Sequence, residues 1–358
     1  MIKTINDKQD IRDLSFEEAE EYFTSVGEKP FRAIQAFEWI YKKNAQGFEE
    51  MANIPKPLRD RLSADFLFAP QVVAAKDVST DGTTKFLFDL KDHQKVETVL
   101  IPTERRATAC ISTQAGCKFG CRFCASGIGG WTRNLTPSEI VAQVIHAKRE
   151  AKDRPLSHIV FMGIGEPLDN YDNVLKAIHL INSDKAINIG ARRITLSTCG
   201  VVPRIKMLAQ QDLQIELAIS LHGYDNESRN VLMPVNKKYP IEQLIEACRE
   251  YIGNKKRQIT FEYILIKDVT CTPKAAVALK TLFKGLICKM NLIPYNPVSE
   301  FGHKCPSRAE MLEFRDLLER SGIHATIRTP RGRDVAAACG QLRHEHREND
   351  PKAGATIV

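Results

Sequence analysis

The chain has 358 residues, 43% hydrophobic and 27% charged, enough to bury a full core and about two domains long. This composition excludes a disordered chain, a collagen and a small disulfide scaffold, and no apolar run approaches the ~18 residues of a membrane span. The net charge of +7 is uneven: acidic residues prevail before residue 103 and basic ones after it, which fits a polyanionic partner such as nucleic acid or simply a solvated surface.

The first eight residues lack the apolar centre of a signal peptide, so a cytoplasmic, reducing setting is expected. Residues 15–68 read as three helices. Ser15 and Glu18 form a capping box before Phe16, Ala19, Tyr22 and Phe23. Pro30 opens the second helix, and Pro55 and Pro57 open the third. Together they predict an accessory domain over 1–70.

Residues 71–102 change period. Val72-Val73, Phe86-Leu87-Phe88 and 96–101 are strand-like, with turns at Asp81-Gly82 and Asp92-His93, which predicts a linking β-meander. From 103 to 342 strand and helix patterns alternate. Strands are expected at 107–112, 158–162, 193–197, 215–221, 258–266 and 290–293, and helices at 137–148, 173–181, 241–251, 273–283 and 308–320. The fold class is α/β, with a parallel sheet that is either doubly wound or a partial (β/α)6 barrel. Either form puts chemistry at the C-terminal strand ends. The polar stretch 343–358 reads as a mobile tail.

Three of the ten cysteines cluster as Cys117-Lys118-Phe119-Gly120-Cys121-Arg122-Phe123-Cys124, directly after the first body strand. In a reducing compartment such clustering suggests a metal or catalysis. Three thiolates can hold three irons of a [4Fe–4S] cluster and leave the fourth open. A structural zinc site would want a fourth ligand. The bland alternative is three unrelated buried cysteines. An open iron can bind the amino and carboxylate groups of S-adenosylmethionine, and this spacing is the radical SAM signature.

Other strand ends are polar where a core would be apolar. Gly163-Ile164-Gly165-Glu166-Pro167-Leu168 ends the second body strand, where Gly165 permits close approach and Glu166 can accept from an ammonium group. Ser197 ends the third, Ser220-Leu221-His222 the fourth, and Asn296 follows the sixth. Each alone is a cap or turn; their recurrence at one end suggests a shared site. Small residues around Cys339 leave its thiol accessible, whereas Cys110 reads as a small buried hydrophobe and Glu97 as an exposed strand charge.

Taken together, Val96-Glu97-Thr98-Val99, the run Cys110 to Cys117, Arg133-Asn134-Leu135, the Gly-Glu-Pro-Leu run, Ser220-Leu221-His222, Leu232-Met233-Pro234-Val235-Asn236 and Ala337-Ala338-Cys339-Gly340-Gln341-Leu342 resemble the RlmN/Cfr family of radical SAM methyltransferases. The resemblance spans about residue 10 to residue 342. Pro167 and Ala115 fall with the carbon-2 branch of the family rather than the carbon-8 branch; Ile164 stands where Met is usual.

The resemblance implies methylation of an RNA adenine at carbon 2: adenosine 2503 of 23S rRNA and adenosine 37 of certain tRNAs. It implies a [4Fe–4S] cluster on Cys117, Cys121 and Cys124, and two S-adenosylmethionine molecules per turnover, bound through Gly165, Glu166, Ser197, Ser220, Leu221, His222 and Asn296. One molecule methylates Cys339, and the other yields a 5′-deoxyadenosyl radical that activates that methyl. Cys110 then releases the product by forming a disulfide with Cys339, and Glu97 is the proton acceptor. An electron donor, a monomeric state and RNA binding by the N-terminal helices are expected as well. Phosphate contacts are expected among Arg105, Arg106, Arg192, Arg193, Lys255, Lys256 and Arg257, each otherwise a solvated charge. A carbon-8 methyltransferase and a non-methylating iron–sulfur RNA-binding protein are the alternatives.

Overall fold

The computed structural model describes residues 8–68, 71–151 and 154–343. Of the expected tail, 343–358, only Arg343 is among them, where it is bonded to Glu97 and Glu300; the rest and the first seven residues lie outside.

Three helices open the chain: α1 (Phe16–Ser25), α2 (Phe31–Phe37) and α3 (Lys56–Asp65). The predicted capping box is present at α1: Ser15 Oγ accepts from the Glu18 amide at 3.1 Å, and Glu18 Oε2 accepts from the Ser15 amide at 2.6 Å. α2 runs into a wider π turn, Glu38–Lys42, which the periodicity did not signal. The turn buries Ile40 and Tyr41, and Phe16, Phe37 and Tyr41 meet edge to face with centroids 5.1–5.2 Å apart.

The meander is β1 (Val72–Val78), β2 (Thr84–Asp89) and β3 (Lys95–Pro102), antiparallel throughout. Its turns fall where expected, with Gly82 and His93 both in the left-handed region. The meander does more than link, because β3 pairs antiparallel with β4 (Ala107–Cys110), the first body strand, and so extends the main sheet.

The body strands are β4, β7 (Leu156–Phe161), β8 (Ile194–Thr198), β9 (Glu216–Ser220), β10 (Ile259–Leu265), β11 (Cys288–Pro294) and β12 (Ala325–Ile327), joined in parallel in that order. The order never reverses, so the sheet is not doubly wound. Right-handed crossovers then put all the helices on one face and leave the other as a concave interior, as in a partial barrel. Those crossovers are α4 (Pro137–Glu150), α5 (Tyr171–Asn182), α6 (Val202–Gln210), α7 (Asn226–Leu232), α8 (Ile241–Lys255), α9 (Pro273–Leu282) and α10 (Arg308–Arg320). Two of these helices, α6 and α7, and the seventh parallel strand β12 had no clear signal in the sequence.

A separate ribbon, β5 (Gln114–Gly116) with β6 (Trp131–Asn134), stands beyond the end of β4. It closes the base of the loop that carries the three clustered cysteines.

Candidate active site

The cysteine loop is held by its ribbon. The Cys117 amide donates to Gly130 O at 2.7 Å, and Gly116 lies in the left-handed region where any side chain would strike that carbonyl. The chain can turn here only on glycine. Cys117, Cys121 and Cys124 all face one recess beyond the C-terminal strand ends. Burial raises all three thiols, Cys117 to about 12. Among the described residues no three Cys, His, Asp or Glu side chains converge on a point that one metal ion could occupy. A cubane asks for a different arrangement, since each thiolate holds a separate iron.

The recess holds about 160 Å³, far more than the ~10–15 Å³ that one water needs. Gly165, Glu166, Ser197, Ser220 and His222 line it with the three cysteines and Cys339, so most of the residues singled out in the sequence share one cavity. Glu166 is buried, which raises its carboxyl, while the amides of Cys199 at 2.7 Å and Leu168 at 3.0 Å donate to it. The hydroxyls of Ser197 and Ser220 lie 3.5 Å apart on neighbouring strands. His222 has φ +53° and accepts at Nδ1 from the Ile264 amide at 3.1 Å, which leaves the proton on Nε2. Burial lowers its pKa to about 3, so the ring is neutral.

Two expected ligands stand differently. The Leu221 side chain is wholly buried in the core, and both its backbone groups have protein partners: its amide donates to Glu262 O at 3.0 Å and its carbonyl accepts from Arg229 Nε at 3.0 Å. Asn296 is tied to the Cys339 segment instead of standing at the cavity wall. It donates from Nδ2 to Cys339 O at 3.0 Å and accepts at Oδ1 from Arg333 Nε at 2.7 Å.

Cys339 is exposed, as its small neighbours suggested, and its thiol is free. Cys110 is buried behind the cavity wall, packed with Val99, Ile164, Ala337 and Leu342, so the chain on either side of Cys339 lies against it. Burial raises the Cys110 thiol to about 12, and the Cys339 thiol adds to the shift. Two cysteines 229 positions apart are thus neighbours, which spacing could not reveal.

Glu97 is buried rather than exposed. Its carboxylate meets Lys85 Nζ at 3.1 Å and accepts from the Arg343 amide at 2.8 Å, while burial raises its carboxyl. Glu97 lies two residues before Val99, the register partner of Cys110, so Glu97 and Cys110 share a face of the sheet. The Cys339 segment runs over that face.

Sequence reasoning missed Glu262, Asn291 and Arg328. Glu262 is buried within β10, accepts from Asn291 Nδ2 at 3.0 Å and faces Arg328 Nη1 at 3.7 Å. Glu262 and Arg328 line the same recess. The available signal was a lone charge in the apolar run Ile259-Thr260-Phe261-Glu262-Tyr263-Ile264-Leu265.

The expected phosphate contacts all fall at one end of the sheet. Arg105 and Arg106 precede β4, Arg192 and Arg193 precede β8, and Lys255, Lys256 and Arg257 precede β10. All seven therefore sit at the N-terminal strand ends, away from the recess. Arg106 is hydrogen-bonded to His158, and Arg257 is ion-paired with Glu216. Exposed cations that follow strands include Lys118, Arg122, Lys237, Lys238, Lys267, Lys304, Arg331 and Arg333.

Residues 9–67 match the family described as the ribosomal RNA large subunit methyltransferase N-terminal domain, and residues 111–271 match the radical SAM superfamily. The probable dual-specificity RNA methyltransferase RlmN of Clostridium novyi is 45% identical over 96% of this chain and 100% of its own length. The corresponding protein of Clostridium tetani is 46% identical over 95% of this chain and 97% of its own. The crystal structure of a radical SAM methyltransferase from Sphaerobacter thermophilus superposes with a TM-score of 0.91 at 43% identity, covering 94% of this chain and all of that one. With a relative this similar along nearly the whole chain, and with both halves matched, the chain belongs to the RlmN family of radical SAM methyltransferases.

Proposed function

We propose that the protein methylates carbon 2 of an RNA adenine, with adenosine 2503 of 23S rRNA and adenosine 37 of certain tRNAs as its targets. The observation that carries this reading is a juxtaposition in one cavity. The exposed Cys339 faces Cys117, Cys121, Cys124 and Glu166, and the chain around it packs on Cys110.

The donor set fits a [4Fe–4S] cluster with one open iron. Three thiols face a common space, and burial holds each protonated until a positive centre arrives. When bound there, the cluster supplies the electron that splits S-adenosylmethionine into a 5′-deoxyadenosyl radical and methionine.

The chain's own residues do the rest. An aromatic C2–H is not nucleophilic, so direct methyl displacement cannot reach it. Cys339 instead takes the methyl first: its sulfur forms the S–CH3 bond, its proton leaves and S-adenosylhomocysteine departs. Two S-adenosylmethionine molecules serve each turnover, one for this step and one for activation. Gly165 and Glu166, with Ser197, Ser220, His222 and the Leu221 backbone, hold the cosubstrate at the strand ends. Asn296 fixes the Cys339 backbone. Glu97 takes the ring proton, and its raised carboxyl suits a base that must give that proton up again. The carbon–carbon bond forms when the deoxyadenosyl radical takes a hydrogen atom from the Cys339 S-methyl and the methylene radical adds to carbon 2. With the ring proton on Glu97, Cys110 attacks the Cys339 sulfur, the bond from sulfur to the new carbon breaks, that carbon takes up a proton to become the methyl, and the odd electron returns to the cluster; the disulfide that remains is reopened by an external two-electron reductant.

The helices of 1–70 act as an RNA-binding accessory domain, 71–102 joins them to the sheet and 103–342 forms the radical SAM core. Acting on ribosomal RNA and tRNA, the enzyme works in the cytoplasm as a monomer, with an electron donor.

The test is an anaerobic reaction of reconstituted protein with a reductant, S-adenosylmethionine and an unmodified 23S rRNA fragment, followed by nucleoside mass spectrometry. 2-Methyladenosine is expected. 8-Methyladenosine would move the chain to the carbon-8 branch, and 5′-deoxyadenosine without any methyladenosine would overturn the substrate assignment.

A further inference from the structure

The segment that carries Cys339 has little regular structure of its own. Between β12 and Arg343 it holds one short 3-10 turn, Arg333–Val335. Gly332 (φ +64°), Ala336 (φ +50°) and Gly340 (φ +82°) are all in the left-handed region. For Ala336 that conformation is rare and has to be held from outside.

Two of its anchors belong to the body. Asn296 takes Cys339 O and Arg333 Nε, and the cysteine loop takes the next residues: Gly340 O accepts from the Ala125 amide at 2.7 Å, and Leu342 O from Ser126 Oγ at 2.9 Å. A further anchor, at the root of the segment, is the turn between β1 and β2, which lies outside the barrel. Asp334 Oδ1 accepts from Ser79 Oγ at 2.5 Å, and Asp334 Oδ2 from the Thr80 amide at 3.0 Å. In return Asp81 Oδ2 accepts from the Gly332 amide at 3.2 Å and faces Arg331 at 3.9 Å. Gly332 is so close to Thr83 that a Cβ there would lie 2.9 Å from Thr83 Cγ2.

We propose that Asp334 is a positioning residue, which with Ser79, Thr80 and Asp81 locks the root of the Cys339 segment onto the meander and so sets where the methyl-bearing sulfur stands over the cavity. The role follows from placement. Asp334 touches no cavity wall, yet its bonds and those of Asp81 fix the chain immediately before the left-handed Ala336. Both carboxylate oxygens are used, so the clamp takes two charge-assisted bonds on one short side chain. Asp334→Asn keeps the shape and removes the charge: its oxygen can accept from the Thr80 amide and its NH2 can donate to Ser79 Oγ, so two charge-assisted bonds become neutral ones. Ser79→Ala removes one of the two. The inference rests on the reading that Cys339 carries the methyl.

The experiment compares wild type, Asp334→Asn and Ser79→Ala by two readouts. The first is amide hydrogen exchange of residues 332–340 in the protein alone, expected to quicken about tenfold in either variant once a charge-assisted bond is lost. The second is the ratio of 5′-deoxyadenosine released to adenine methylated. We expect it to rise about fivefold or more as radicals miss their target, with iron content unchanged. Wild-type exchange and a wild-type ratio in both variants would overturn the clamp. If wild type forms no methyladenosine, the functional reading falls, and the exchange measurement still decides the clamp. Should Asp334→Asn fail to fold, Ser79→Ala, which removes only a hydroxyl, decides between the two outcomes.

Discussion

Asn296 donates its amide proton to the carbonyl of Cys339 at 3.0 Å, so one side chain just beyond β11 fixes the backbone of the exposed cysteine. The same amide accepts from Arg333 at 2.7 Å, which makes it a two-point clamp on a segment with little structure of its own. Asn296→Ala should lower methyl transfer by about ten- to a hundredfold, the range for losing a buried hydrogen bond that positions a reacting group. Iron content should not change. Single-turnover assays with quantified iron would check both.

In the proposed mechanism Cys339 and Cys110 carry different steps, so their losses should look different. Cys339→Ala should abolish adenine methylation while 5′-deoxyadenosine is still released. Cys110→Ala should stall after the carbon–carbon bond forms and leave RNA joined to Cys339. A protein–RNA band that survives denaturation is expected for Cys110→Ala alone, and its absence would remove Cys110 from the resolving role.

Replacing Cys117, Cys121 or Cys124 singly by Ser should cost most of the reconstituted iron. In the proposed cluster each thiolate would hold its own iron, and the loop has no spare cysteine to substitute. Iron and sulfide assays with the visible absorbance spectrum provide the check. Cys199 is buried beside the same recess, and Cys199→Ser should retain the cluster.

RNA should approach the end of the barrel where the recess opens. Lys237→Glu with Lys238→Glu, after β9, should weaken RNA binding about tenfold or more at low salt and shrink the slope of log affinity against log salt by about 2. Arg192→Glu with Arg193→Glu, before β8, should leave both nearly unchanged. Filter binding over a salt series distinguishes the two ends.

The neutral His222 makes stability depend on pH. Its folded pKa, about 3, lies below the ordinary 6.5, so the unfolded chain binds more protons between those values and stability is lost as pH falls through that window. The slope contributed is about 1.4 kcal/mol per pH unit. Asn tolerates the left-handed backbone, and its side-chain oxygen can accept from the Ile264 amide in place of Nδ1. Denaturant titrations from pH 7 to 4 should therefore show a flatter acid limb for His222→Asn than for wild type.

Features with a local cause were legible in the sequence. The Ser15–Glu18 box, the prolines at helix starts, the meander turns and the cysteine spacing each depend on residues a few positions apart. The β5–β6 ribbon escaped because its strands are short, glycine-bounded and shifted in register at Gly116. Glu262, Asn291 and Arg328 escaped because strand pairing, not sequence proximity, joins them. The expected phosphate contacts rest on charge. Charge alone does not say which end of a barrel a residue occupies, whereas its position before or after a strand does. Arg192 and Arg193 directly precede β8, so this much could have been read from the chain. Glu97 misled for the reverse reason: an acidic residue on a strand reads as solvated until another segment, here Arg343, covers it.

The anchors of the Cys339 segment reach far back along the chain, 255 residues from Asp334 to Ser79 and 216 from Leu342 to Ser126. Synthesis runs from the N-terminus, so on the ribosome every wall of the recess except the Cys339–Gly340 stretch itself emerges before Cys339 does. Closures over such separations come late in folding. The walls that Cys117, Cys121, Cys124 and Glu166 contribute can therefore be in place before the Cys339 segment closes over them.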